Sequence, residues 1–360
     1  MTRLATTIAL SALVSTAIWA APSLAADFSG GSEGTGEAPR AAPTTPFTLR
    51  GKPMATPKLE PGEETRAAPM TDEAAIIKSF TAIGRSADGK EIRVEAPEEV
   101  RDAIKEMTAP KADKTSNPQK AEDPAFSEEG ERTVFGPDDR VQIKNTKTYP
   151  FRAIGYLESK SAEGNYSSCS ATLIGPKTIL TAAHCLYNHD AGGWLEDFFF
   201  VPGLNGMTAN DAPFGGYEYE TAYIVEGYIT NYQGYYGSVV PWDLGIVTLK
   251  DPIGDHVGWM AYNHYTELGD FTANIVGYPG DKPAGTQWRA TCNVLAENIG
   301  DDYFQYDCDT FPGSSGSAVY ALDGNNQRVI VGVNVAESPA ANTAVRINET
   351  YLAWINGLNQ

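Results

Sequence analysis

Short apolar runs separated by turn residues dominate the second half of the chain, and the first half carries few of them. The runs cover residues 152–157, 170–174, 178–183, 198–201, 222–226, 244–249, 273–278, 318–321 and 329–335, with Gly, Asn, Asp and Pro between them. Many short strands at this spacing predict an all-β architecture, a sandwich or a pair of barrels. A helical pattern in this half occurs at 348–356, at the C-terminus. No fixed period is visible, which argues against a solenoid. In the first half, 71–80 reads as a short helix, with Thr71 capping ahead of Ala74, Ile76, Ile77 and Phe80. Residues 90–94 alternate like a strand and 97–107 form a second helical pattern. Pro and Ala crowd 38–69, a composition expected to bury too little surface to offset the entropy of ordering.

The N-terminus sets the compartment. Arg3 precedes an almost uncharged apolar run at 8–21, and Ser23-Leu24-Ala25 supplies small residues for a signal peptidase. The run is too short for a membrane span, and no later stretch approaches one. Residues 1–25 therefore read as a signal peptide of an exported protein. The formal charge of −19 argues against nucleic acid and against anionic membrane surfaces as partners. Four cysteines in an exported chain favour two disulfides. The short spacings, Cys169 to Cys185 and Cys292 to Cys308, suggest the pairing, although three connectivities satisfy the count. Each loop of that size stabilises a fold by roughly 3 kcal/mol. A zinc site using Cys185 with His184 is disfavoured, because no close pair of ligand motifs accompanies it.

Three segments carry chemistry. Thr181-Ala182-Ala183-His184-Cys185 ends an apolar strand; Asp243 directly precedes another; Gly313-Ser314-Ser315-Gly316-Ser317 is a glycine-rich turn entering a third. A serine hydroxyl is a weak nucleophile unless a base lies within hydrogen-bond reach, and that base needs a fixed tautomer. An imidazole whose second nitrogen donates to a carboxylate meets both needs. The glycines allow a tight turn, so that the amides of Gly313 and Ser315 converge on one developing oxyanion, each worth roughly 3–4 kcal/mol. His184, Asp243 and Ser315 are thus the expected catalytic triad, in the chain order His, Asp, Ser. Each signal alone is bland, since His184 alone suits a structural role and Asp243 alone a strand edge. The combination is specific. His189, His256 and His264 lie in polar surroundings and are expected at the surface.

At this point the chain resembles the glutamyl endopeptidase (V8-like) branch of the chymotrypsin-like serine peptidases. The stretches 133–140, 178–185, 277–288 and 309–317 carry the resemblance, which runs from Thr133 to the C-terminus. It implies two six-stranded antiparallel barrels, with the active site in the cleft between them and a short C-terminal helix. It implies a Cys169–Cys185 disulfide flanking the histidine. It also implies a precursor, with residues 26–132 a partly disordered pro-segment acting as inhibitor or folding aid and 133–360 the peptidase domain. Thr310 matches the pocket Ser or Thr of that branch. Asn334 stands where its pocket histidine stands, and Pro312 replaces a usual glycine. The freed amine of Thr133 is implied as a further pocket group. Thr310, Asn334 and Thr133 are therefore the expected substrate-binding residues, with an acidic P1 residue preferred. Asp309 supports the opposite reading, a basic P1 residue, which ranks second.

The expected function is a secreted, monomeric serine endopeptidase acting on polypeptides without a cofactor. The alternatives are a catalytically silent binding protein on the same fold and an esterase using the same triad. N-terminal sequencing of the active protein is expected to read Thr133-Val134-Phe135. An active form that still begins near Asp27 would overturn the precursor reading.

Overall fold

The computed structural model describes residues 47–59, 72–108, 134–190 and 192–359. The expected signal peptide (1–25), the 109–130 connection and Thr133, the expected start of the peptidase domain, lie outside the described residues. Six strands close a barrel in the order Ile154–Lys160, Tyr166–Leu173, Thr178–Thr181, Gly245–Leu249, Tyr217–Val225 and Glu196–Pro202, the last pairing back to the first. Alternation explains the closure. Leu157, Leu173, Ile179, Phe200, Ala222 and Val247 share one face by their pairing, are buried and fill the interior.

The second sheet is a curled half-barrel, ordered Tyr303–Tyr306, Asn342–Arg346, Arg328–Glu337, Ala318–Leu322, Phe271–Gly277, Trp288–Val294 and Val141–Gln142. The Cys292–Cys308 disulfide ties its strand Trp288–Val294 to the chain just past Tyr303–Tyr306. The strands Trp288–Val294, Tyr303–Tyr306 and Asn342–Arg346 escaped the sequence reading. Tyr303–Tyr306 alternates half-buried and buried residues among acidic neighbours, so only pairing with Asn342–Arg346 marks it as a strand. The C-terminal helix is Glu349–Leu358, and the Asn348 side chain accepts from Tyr351 N–H as its cap. No described helix is long and apolar enough to cross a membrane.

The first half packs onto this framework. Helix Glu73–Ser79 is capped by Asp72 rather than Thr71: the Asp72 carboxylate accepts from Ala74 N–H. Strands Ala82–Ser86 and Glu91–Val94 form a hairpin, and the first extends the barrel through Tyr217–Val225. Helix Glu98–Thr108 lies against Glu349–Leu358. Ile76, Phe80, Val100 and Ile104 share one core with Tyr351, Trp354 and Ile355.

Residues 47–59 depart from expectation. They are ordered, with Leu49, Met54, Thr56 and Leu59 buried. The physical reason is that the segment needs no core of its own. It borrows strand edges, Lys52–Pro53 pairing with Ser167–Ser168 and Lys58 bridging to Glu337.

Phe80 meets Trp242 edge-on at 5.1–5.4 Å between centroids, as it does Tyr351. Phe80→Ala should therefore lower the stability of the full chain by about 3 kcal/mol or more, read as a shift in denaturation midpoint. A change under about 1 kcal/mol would show that residues 72–108 do not share the core.

Candidate active site

Strand pairing brings the first two predicted residues together. Gly245 opposes Thr181, so the turn Ala183–Cys185 and the end of the turn Val240–Trp242 meet at one barrel rim. Asp243 there is fully buried, at 0% exposure, and a buried carboxylate requires donors. It has three. Its Oδ1 accepts the His184 backbone N–H at 2.8 Å, and its Oδ2 faces His184 Nδ1 at 2.7 Å. The third is the hydroxyl of Tyr236, which also donates to Oδ2. An acceptor-only carboxylate requires the hydrogen on Nδ1, which leaves the lone pair on Nε2. Nε2 is buried and has no hydrogen-bond partner among the described residues.

The Ser315 turn sits at the seam between the two sheets. Gly313 has φ 99° and Gly316 φ 81°. A Cβ on Gly313 would lie 2.6 Å from Tyr278 O, and one on Gly316 would lie 2.1 Å from Thr181 Oγ1. Both positions therefore demand glycine on two counts. The turn is stitched to each sheet: Ser170 N–H donates to Ser315 O at 2.8 Å, and Gly316 N–H to Asn334 O at 2.9 Å. Ser315 Oγ donates to Thr56 Oγ1 at 3.4 Å rather than to His184. Gly313 N–H, an expected oxyanion donor, instead reaches Met54 O at 3.1 Å.

Asn334 and Thr310 are buried at the same seam. The Asn334 amide is tied at both ends: Oδ1 accepts from Tyr306 OH at 2.5 Å, and Nδ2 donates to Ser314 O at 3.2 Å. Asp309 has both oxygens engaged, accepting Phe135 N–H at 2.7 Å and Asp139 N–H at 3.2 Å. Burial pushes its carboxyl up, and those two amides act against the shift. Arg140 anchors the same N-terminal stretch. Its Nε donates to Asp138 at 2.9 Å and its Nη1 to Asp281 at 3.0 Å, while Lys282 pairs with Asp138. The hydrogen bond from Arg140 holds Asp138 well below the usual carboxylate range. Three of the four stretches behind the family resemblance therefore converge on one cluster.

Cys169–Cys185 and Cys292–Cys308 are the two disulfides. Cys169, His184 and Cys185 are close enough to suit a metal ion, but the two sulfurs are bonded to each other. Neither is a thiolate, so the trio does not fit zinc. His189 was expected at the surface and is instead half-buried, stacked on Tyr232 at 3.9 Å, and burial lowers its pKa. Sequence reasoning missed Tyr236, Tyr306, Met54 and Thr56. No periodic or motif signal marks any of them, and only folding brings them to the site.

Among curated proteins the chain is similar to a glutamyl endopeptidase of Bacillus licheniformis, 35% identical over 212 residues, 58% of this chain and 61% of the relative. It is also similar to an extracellular metalloprotease of Bacillus subtilis, 28% identical over 220 residues, 60% of this chain and 66% of the relative. A glutamyl endopeptidase of Staphylococcus aureus is 26% identical over 235 residues, 63% of this chain and 58% of the relative. The chain thus spans about three fifths of the length of these relatives. A solved structure of Glu endopeptidase in complex with MPD superposes with a TM-score of 0.54 at 31% identity, covering 63% of this chain and 99% of that one. The family model described as Trypsin matches residues 140–355, the span that holds the His184–Asp243 pair, the Ser315 turn and both sheets, and the chain belongs to that family.

Proposed function

We propose that this protein is an exported serine endopeptidase, made as a precursor, with His184, Asp243 and Ser315 as its catalytic triad. The observation that carries the reading is the buried Asp243 carboxylate, bonded to both the backbone and Nδ1 of His184, at the rim beside the Ser315 turn. Ser315 Oγ attacks the scissile carbonyl carbon while Nε2 of His184 takes its proton. The carbonyl oxygen becomes an anion held by the N–H groups of Gly313 and Ser315. Collapse expels the amine, which takes the proton from His184, and leaves an acyl ester on Ser315. Water then repeats the sequence with His184 as base, releasing the acid. Asp243 stabilises the imidazolium throughout, and Tyr236 keeps Asp243 aimed.

Polypeptides are the substrate class, with an acidic P1 residue favoured. The glutamyl endopeptidase names of the relatives support this, as does the state of Asp309: both its oxygens already accept amides, so it is poorly placed to receive a basic side chain. Thr310 and Asn334 are the pocket groups of this chain. The reach of two residues keeps a terminus at Thr133 within about 7 Å of the Phe135 nitrogen, close enough to Asp309 for its amine to enter the pocket. The secretory leader is residues 1–25, the pro-segment 26–132 and the peptidase domain 133–360.

Ser315→Ala and His184→Ala should each lower kcat by several orders of magnitude with the fold intact. Asp243→Asn should cost about 10⁴-fold, the magnitude known for triads of this type. Tyr236→Phe should cost about tenfold in kcat with KM unchanged, the value of one hydrogen bond to a charge, and should cost nothing further in the Asp243→Asn background. A fluorophosphonate should label Ser315 and neither Ser314 nor Ser317. Activity that survives Ser315→Ala would eliminate the triad and leave a binding protein or another nucleophile.

Matched peptides with Glu, Gln, Leu and Arg at P1 should rank Glu first in kcat/KM, with Gln closer behind than a charged pocket would allow. Asn334→His should widen the gap. An Arg preference abolished by Asp309→Asn would reverse the specificity reading, and ester hydrolysis without peptide hydrolysis would favour an esterase.

A further inference from the structure

The cleft between the two sheets is filled by residues 47–59, and the direction in which they run through it is informative. At one end Met54 N–H donates to Ser168 O at 2.8 Å, and Lys52 and Pro53 pair in parallel with Ser167 and Ser168. At the other end Leu59 N–H donates to Glu337 O at 2.8 Å and Glu337 N–H donates to Pro57 O at 3.1 Å, again a parallel bridge. Between them, Met54 O takes the Gly313 N–H and Thr56 Oγ1 takes the Ser315 hydroxyl. The segment therefore covers the nucleophile, one oxyanion donor and both strand edges that an extended peptide would use.

A substrate must enter with its acyl half on the pocket side. Its P1 side chain fills the space walled by Thr310 and Asn334, so the residues before it follow 334–337, and its leaving half passes Ser167–Ser168. Its N-to-C direction runs from Glu337 toward Ser168. Residues 47–59 run the other way. Attack on the Met54 carbonyl would set the departing Ala55 nitrogen toward the pocket side, where a leaving amine is not delivered to His184. The strap is also anchored outside the cleft. The Glu158 carboxylate accepts the N–H groups of Arg50 and Gly51, each at 2.5 Å, and Tyr156 OH donates to Gly51 O at 2.9 Å.

We propose that residues 47–59 bind the cleft as a reverse-threaded peptide, which occupies the catalytic groups and presents no bond they can cut. The inference rests on the serine-peptidase reading and adds to it a second ligand for the same cleft, an extended peptide of opposite polarity. Leu59, buried to 1% exposure, and Thr56 are the contacts specific to the strap. Neither belongs to the catalytic or substrate-binding machinery.

The test uses the full chain. A biotinylated fluorophosphonate is applied to wild type, Leu59→Asp and Thr56→Ala, and labelling is scored on the full-length band only. Labelling of wild type should be at least tenfold slower than that of Leu59→Asp, with Thr56→Ala between them and serving as readout should Leu59→Asp misfold. A synthetic peptide of residues 47–59 added to the opened variant should slow labelling and remain intact by mass spectrometry. Equal labelling of wild type and variants would overturn the proposal, and so would a peptide that has no effect. Cleavage of the peptide between residues 52 and 59 would show that it binds as a substrate and defeat the reversed polarity. Failure to label Ser315 in any form, the denaturation midpoints being normal, would mean that the nucleophile assignment itself is wrong.

Discussion

A single buried carboxylate organises the site. Asp243 has no exposure to solvent, and an uncompensated buried charge costs several kcal/mol. Its three donors are therefore structural obligations as well as chemical arrangements. The backbone amide of His184 fixes the turn after Thr178–Thr181, and the Nδ1 contact fixes the ring and its tautomer. The Tyr236 hydroxyl fixes the loop before Gly245–Leu249. Disturbing any one leaves charge unpaired in a low-dielectric rim, so the geometry that suits a general base is also the geometry of least electrostatic cost.

The second sheet contributes the Ser315 turn, and the seam joins the two sheets through main-chain bonds. Ser170 of the barrel serves Ser315 O, while Asn334 of the half-barrel serves Gly316 and Ser317. The Ser170 hydroxyl adds a further link, donating to Gly313 O and accepting Tyr278 N–H, both at 2.9 Å. Glycines at 313 and 316 permit this, because a side chain at either would collide with backbone or hydroxyl oxygens of the facing elements. The site is a product of sheet-to-sheet docking, and neither sheet holds it alone.

The first half of the chain has two kinds of order. Residues 72–108 add a hairpin to the barrel strand Tyr217–Val225 and a helix to the C-terminal helix, burying Phe80, Val100 and Ile104 in the shared core. Residues 47–59 bury Leu49, Met54 and Leu59 in other elements' clusters, and main-chain bonds to Ser168, Gly313 and Glu337 hold them in place. The first arrangement suits support of folding, and the second suits occupation of a cleft.

Much was legible in the chain itself. Short apolar runs between turn residues marked nine strands of the two sheets, because strands covered on both faces, such as Ile154–Lys160 and Arg328–Glu337, read as nearly continuous apolar stretches. The pairing of His184 with Asp243 was legible because an imidazole base needs a carboxylate to fix its tautomer. The order of those residues and the glycines at 313 and 316 leave few other uses for them. The disulfide partners followed the short spacings. What the tertiary structure decided is everything that depends on which edges meet. Tyr236 reaches Asp243 across a loop, Asp309 is turned toward Phe135 and Asp139, and Tyr306 holds the Asn334 amide. Residues 47–59 looked unable to order because their own surface is insufficient, a sound inference for an isolated segment. They order because edge strands of other elements offer unpaired amides and carbonyls, and the position of such edges is a property of the fold.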